Sequence, residues 1–219
     1  MSLERIKQAT SNHFSLNGIE IKIKDPLPKS IDFKLVVRRA FSKVPSHLLT
    51  NLKSIKVGQF DHLIKKGFEG LYQNNTIYLS NEHVDEDSII DDLIHEISHS
   101  VEVKFKEIIY SDGKLKKEFL KKRKLLWQLM RQKGIDVDLD MFLNHEFNEK
   151  LDYFFYKDIG YPILGMYTSN LFYSPYAATS LREYFANGFE AFFMKEKIER
   201  LKKLSPILYN KIVELMQLK

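Results

Sequence analysis

Between Ile90 and Glu102 the chain reads IDDLIHEISHSVE, with His95, Glu96 and His99 at the spacing H-E-x-x-H. On a helix, residues four apart lie about 40° apart around the axis, so both imidazoles fall on one face. Two histidines one turn apart can chelate zinc through ring nitrogens, and Glu96 is offset enough to reach a water held there. Asp92 and Glu102 share the histidine face, while Ile89, Ile90, Leu93, Ile97 and Val101 fall on the other side. A helix that buries one side and aims its imidazoles the other way suits a cleft. The plainer account is a surface helix that happens to be polar on one side. The isolated histidines His13, His47, His62 and His83 read as surface or loop residues. His145–Glu146 is followed by Glu149 where a second histidine would stand, so it is not a second motif.

A catalytic zinc with two helical histidines needs one more protein ligand and an open position for water. The chain has no cysteine, so that ligand is a carboxylate or a histidine. The candidate stretch is Ser174–Phe193, SPYAATSLREYFANGFEAFF, in which Glu183 and Glu190 stand two helical turns apart. Ser180-x-x-Glu183 also fits a capping box, in which Glu183 would only satisfy a backbone N–H. Spacing alone leaves ligand and cap both open.

These residues resemble a family of zincin metallopeptidases, that of the anthrax-toxin lethal factor catalytic domain and the secreted Pro-Pro endopeptidases. Tyr176 stands seven residues before Glu183, EYFANGFE is similar to the family's Glu–aromatic–aromatic–Ala pattern, and GLYQNNTIYLS before the motif helix is similar to the family's hairpin. The resemblance covers residues 45–103 and 174–193. It implies a zinc endopeptidase with His95, His99 and Glu183 as ligands, Glu190 being the alternative ligand. Glu96 would be the general base, Tyr176 the oxyanion donor and Asn187 a support for a ligand histidine. The substrate would be a protein or peptide lying along the hairpin's edge strand. Two departures stand out. His99 and Glu183 are farther apart than the family's usual spacing, and residues 1–44 match nothing recognisable.

The supporting elements follow from pattern. Ile19–Lys24 alternates with period two and reads as a strand, as does Leu52–Phe60; Gly70–Ser80 reads as a hairpin with an Asn-rich turn. Ser30–Phe41 reads as a helix, and Asp87 or Ser88 as the cap of the motif helix. The expected fold is a single α+β zincin-like domain over 1–219. It has a small N-terminal sheet-and-helix lobe carrying the motif helix and a mainly helical C-terminal lobe. Within it, 1–44 is unassigned, 45–104 holds the hairpin and motif helix, 105–173 is a basic helical insertion and 174–219 carries the third ligand.

Composition sets outer limits. With 219 residues, 44% hydrophobic and 29% charged, the chain has the make-up of an ordinary globular protein. No window reaches the ~18 apolar residues of a membrane span. The first residues lack the apolar run of a secretory signal, which leaves a cytosolic and an exported home both open. The net charge of +5 is concentrated in Asp112–Gly134, where nine Lys or Arg face two acids. That segment also carries Leu115, Phe119, Leu120, Leu125, Leu126 and Trp127, so it is expected to pack on a core with a solvated basic face. The competing expectation is an interaction module without turnover that uses 112–134 to bind nucleic acid or an acidic partner.

Overall fold

Alternation decides the start of the chain. In β2 (Ile19–Ile23), Ile19 and Ile21 are buried while Glu20 and Lys22 are exposed, the period-two pattern of a half-buried strand. The computed structural model describes residues 12–195 and 198–218. Strand β1 (His13–Leu16) pairs antiparallel with β2 across a turn at Asn17–Gly18, where both φ values are positive. Thus the two strands in the described part of 1–44 belong to the same sheet as β3, β4 and β5. From β2 the chain crosses through α1 (Phe33–Lys43) to β3 (Ser54–Val57), which lies parallel to β2.

The short helix α2 (Asp61–Ile64) leads to a hairpin of β4 (Gly70–Gln73) and β5 (Thr76–Leu79). Its two turn residues, Asn74 and Asn75, have φ of 51° and 61°, the left-handed pair that a tight hairpin needs and that Asn tolerates. Strand β5 runs parallel to β3, so the sheet order is β1-β2-β3-β5-β4 with β4 at an edge. The register aligns Ile21, Ile55 and Ile77 across the three parallel strands, and all three are fully buried. Asn51 ties this sheet to the next helix, donating to the Tyr72 hydroxyl (2.9 Å) and to the Ser100 carbonyl (3.1 Å).

The motif helix, α3, spans Glu86–Tyr110. Its cap is neither Asp87 nor Ser88. The Asp85 carboxylate accepts the Ser88 N–H at 2.8 Å, and Glu86 and Asp87 instead pair with Arg39 of α1 at 3.1 and 2.7 Å. Acidic side chains in a first turn are favoured by the helix dipole, and the helix starts at Glu86, ahead of both expected caps. Backbone geometry is broken at Phe105 (φ −112°, ψ 20°). The chain groups into two compact units there, the first ending at Lys104 and the second running from Phe105 to Leu218.

The second unit is helical. It comprises α4 (Lys114–Gln132), α5 (Leu139–Leu143), α6 (Glu149–Tyr153) with a π-helical turn Phe154–Ile159, and α7 (Tyr161–Thr168). A 3-10 turn, Tyr176–Ala178, then precedes α8 (Leu181–Phe193), α9 (Ile198–Leu204) and α10 (Pro206–Met216). Its core is aromatic: Phe119, Phe142, Phe155, Phe172, Tyr184, Phe185 and Phe189 are buried. The architecture is thus α+β, strands early and helices late. No helix among the described residues is long and apolar enough to cross a membrane.

The expected solvated basic face of α4 needs correction. Leu115, Phe119 and Leu126 are buried and Lys116, Lys117 and Lys121 exposed, but Lys122 and Arg123 are buried too, while Leu125 is 39% exposed. A buried cation is tolerated where acceptors surround it. The Lys122 ammonium donates to the Tyr184 hydroxyl and to Ser205 Oγ, both at 2.6 Å. Glu118 completes the network, accepting the Tyr184 hydroxyl (2.8 Å) and the N–H groups of Ile207 and Leu208 at the start of α10.

Burial pushes Lys122 down from 10.5 to about 8, against the pull of Glu118. Between these values the unfolded chain holds a proton that the folded chain has released, so stability rises with pH across that window and the gain is absent below it. The full gain is up to ~3 kcal/mol. Urea unfolding at pH 7.5 and pH 10 is expected to show this rise in the wild type and a flatter response in Lys122→Met. Parallel behaviour of the two proteins would contradict the assignment.

Candidate metal centre

Helix α3 buries Ile89, Ile90, Leu93, Ile94, Ile97 and Val101, as the apolar spacing requires. The motif residues occupy the other side. His95 is half-buried, while Glu96 and His99 are 7% and 4% exposed. One ligating atom from each of the three lies within 4.8 Å of the others. The two imidazole rings meet edge to face, with centroids 5.1 Å apart. Burial removes competing water and strengthens each electrostatic contact.

Glu102 acts behind His99. Its carboxylate lies 3.5 Å from His99 Nδ1, the position from which a carboxylate orients an imidazole and leaves its Nε2 available. Spacing had put Glu102 on this face without giving it a role; its position three residues after His99 was the available signal. Asp92, on the same face, is used otherwise. It holds Nε2 of His83 at 2.7 Å, and the His83 Nδ1 lies 3.0 Å from the Ser80 carbonyl.

His83 lies in the loop after β5, as its reading as a surface or loop residue allows, but it is not at the surface, being 6% exposed. The segment after β5 folds it onto α3, where Asp92 compensates its burial. Burial alone would lower the His83 pKa, but the Asp92 hydrogen bond and charge, with Ser80 behind, raise it overall.

Glu96 also meets the sheet. A Cβ built on Gly70, the first residue of edge strand β4, would lie 3.0 Å from Glu96 Cγ and 3.1 Å from Oε1. Any larger residue at 70 would crowd the Glu96 side chain, which would have to shift by a few tenths of an ångström to make room. The hairpin's first strand and the motif helix thus meet at the proposed base.

The remaining candidates lie in the second unit. Ser180 caps α8, its Oγ accepting the Glu183 N–H at 3.1 Å. Glu190 stands two turns farther along α8 and is half-buried. Tyr176 opens the 3-10 turn before the cap. Asn187 does more local work than expected of it. Its Nδ2 donates to the Glu183 carbonyl at 3.0 Å and its Oδ1 accepts the Ser174 hydroxyl, which in turn accepts the Ala177 N–H. It therefore braces the turn carrying Tyr176.

Sequence reading missed two neighbours of Glu183. The ring of Tyr161 meets that of Tyr176 at 6.4 Å in a T-shaped contact. Its hydroxyl is pushed up to about 12 by burial and then by Asp152, Tyr156 and Glu183. The Asp152 carboxyl is raised by burial and by Glu183. Both residues sit in the segment that spacing marked as an insertion, so no motif pointed to them.

Among the described residues, His95, Glu96 and His99 form the one group of three or more side chains able to hold a metal ion. His145 and Glu146 pair with each other at 3.0 Å. Comparisons with models of known protein families, with curated proteins and with solved structures find no match to this chain.

Proposed function

We propose that this chain is a zinc-dependent endopeptidase of the zincin kind. The observation that supports it most is the convergence of His95, Glu96 and His99 within 4.8 Å, with Glu102 behind His99 Nδ1. Two imidazoles and carboxylates, without thiolates, suit zinc. His95 and His99 would hold the ion from α3. Glu183 is assigned as third ligand on the resemblance of Tyr176–Glu190 to the lethal factor and Pro-Pro endopeptidase family, with Glu190 the alternative. When bound, zinc would supply Lewis-acid polarisation of the scissile carbonyl and lower the pKa of water to about 7.

The protein's own groups do the rest. Glu96 takes the proton of the attacking water and passes it to the leaving amine nitrogen. Its burial and its contact with Gly70 restrict where the carboxylate can sit. Tyr176 donates a hydrogen bond to the developing oxyanion, an interaction typically worth ~3 kcal/mol. Strand β4, at the sheet edge, offers unpaired backbone groups to an extended peptide. The test is incubation of the zinc-loaded protein with a diverse peptide library, read by mass spectrometry. Internal cleavage that stops on chelation is the expected result. An uncut library would overturn the proposal.

A further inference from the structure

Arg123 is a fully buried arginine, 0% exposed, on α4. Its Nη1 donates to the carbonyls of Ala178 (2.7 Å) and Thr179 (3.2 Å), and its Nη2 to the carbonyl of Met141 (2.7 Å). The guanidinium lies over the rings of Phe119, Phe142 and Phe155 at 5.4, 5.2 and 6.0 Å. No carboxylate pairs with it among the described residues, so carbonyl dipoles and ring faces meet its charge. A well-packed apolar side chain is commonly as stable as a buried charge in such a core. What the planar fork adds is geometry, because it holds three carbonyls from two segments at once.

The position of those carbonyls gives the geometry a use. Ala178 closes the turn that begins at Tyr176, and Thr179 directly precedes Ser180, the cap of the helix bearing Glu183. Arg123 therefore grips the stretch between the proposed oxyanion donor and the proposed third ligand. A second tie runs alongside, from the Leu181 N–H to the His145 carbonyl at 2.8 Å. Asn187 braces the same turn from the helix side through Ser174.

We infer that Arg123 is a positioning residue that holds the Tyr176 turn in register, making the 105–173 segment a working part of the catalytic unit. The inference rests on the peptidase reading above and gives that segment its role.

A double-mutant cycle tests it. Arg123→Lys keeps the charge and loses the fork. It is expected to lower kcat by about 10–100-fold, the usual cost of a small misplacement, with KM changed by less than about threefold. In a Tyr176→Phe background the same substitution should cost less than about threefold, because the residue it positions is already disabled. Equal losses in both backgrounds, or an unchanged kcat, would overturn the inference and leave the peptidase reading standing. A wild type without turnover would overturn both.

Should Arg123→Lys not fold, amide exchange in the wild type decides the matter. The N–H groups of Ala178 and Thr179, bonded to Pro175 and Tyr176 carbonyls at 3.1 and 3.0 Å, should be protected as well as that of Tyr184 within α8. Exchange at the rate of an open loop would overturn the proposal.

Discussion

Glu96→Gln is expected to retain zinc and to lose peptide turnover by about 10³-fold or more, toward the upper end of what a positioned base supplies. The substitution conserves volume and leaves both imidazoles in place, so metal content and melting temperature should stay close to wild type. Its amide has no lone pair basic enough to accept the water's proton. The packing sharpens the expectation. Glu96 is 7% exposed and lies against Gly70, so a neighbouring carboxylate has little room to substitute for it. Steady-state kinetics with zinc measured on the same samples checks both parts. A variant that cleaves like wild type would remove Glu96 from the base role, and one that loses its zinc would make Glu96 a ligand.

The second large effect separates two glutamates. Glu183→Ala is expected to weaken zinc binding by at least about 100-fold, beyond the 10–100-fold typical of a group acting behind a ligand. Glu190→Ala should change zinc affinity little. The rival account, that Glu183 serves as a cap, leads elsewhere. The observed capping bond runs from the Glu183 N–H to Ser180 Oγ, and alanine at 183 keeps that N–H. Ser180→Ala removes that bond and should cost ~1 kcal/mol of stability with zinc affinity little changed. A Glu183 that only completes the capping box would make Glu183→Ala behave the same way. Competition titrations with a zinc chelator across the three variants read the difference. Tight zinc in Glu183→Ala together with weak zinc in Glu190→Ala would exchange the two assignments.

The legible parts of the molecule were those written in local periodicity. The alternation of Ile19–Ile23 and the Asn74–Asn75 turn between two apolar runs are patterns of a few residues, and the strands and hairpin appear where they point. The histidine face of α3 is another, since His95 and His99 are brought together by helical spacing alone. What stayed hidden depended on partners far along the chain. Nothing near Lys122 announces Ser205, and nothing near Arg123 announces Ala178 or Met141. A run of nine cations read by count looks solvated, because charge density carries no information about which side chains find acceptors.

The Asp92–His83 pair and the Tyr161–Tyr176 contact were hidden for the same reason. Each joins a motif element to a segment without a motif. The helix cap moved from Asp87 or Ser88 to Asp85: Arg39, nearly fifty residues earlier, engages Asp87, and the Ser88 N–H donates to the Asp85 carboxylate. In every case a tertiary partner overrode a local preference, which is the usual limit of propensity.

The central claim is that His95 and His99 hold a zinc ion, and metal content after reconstitution tests it most directly. The wild-type protein is saturated with zinc, freed of excess by gel filtration and measured by elemental analysis beside His95→Ala and His99→Ala. One zinc per wild-type chain and close to none in either variant is the result the account requires. A wild type without zinc, or variants that keep as much as wild type, would contradict it.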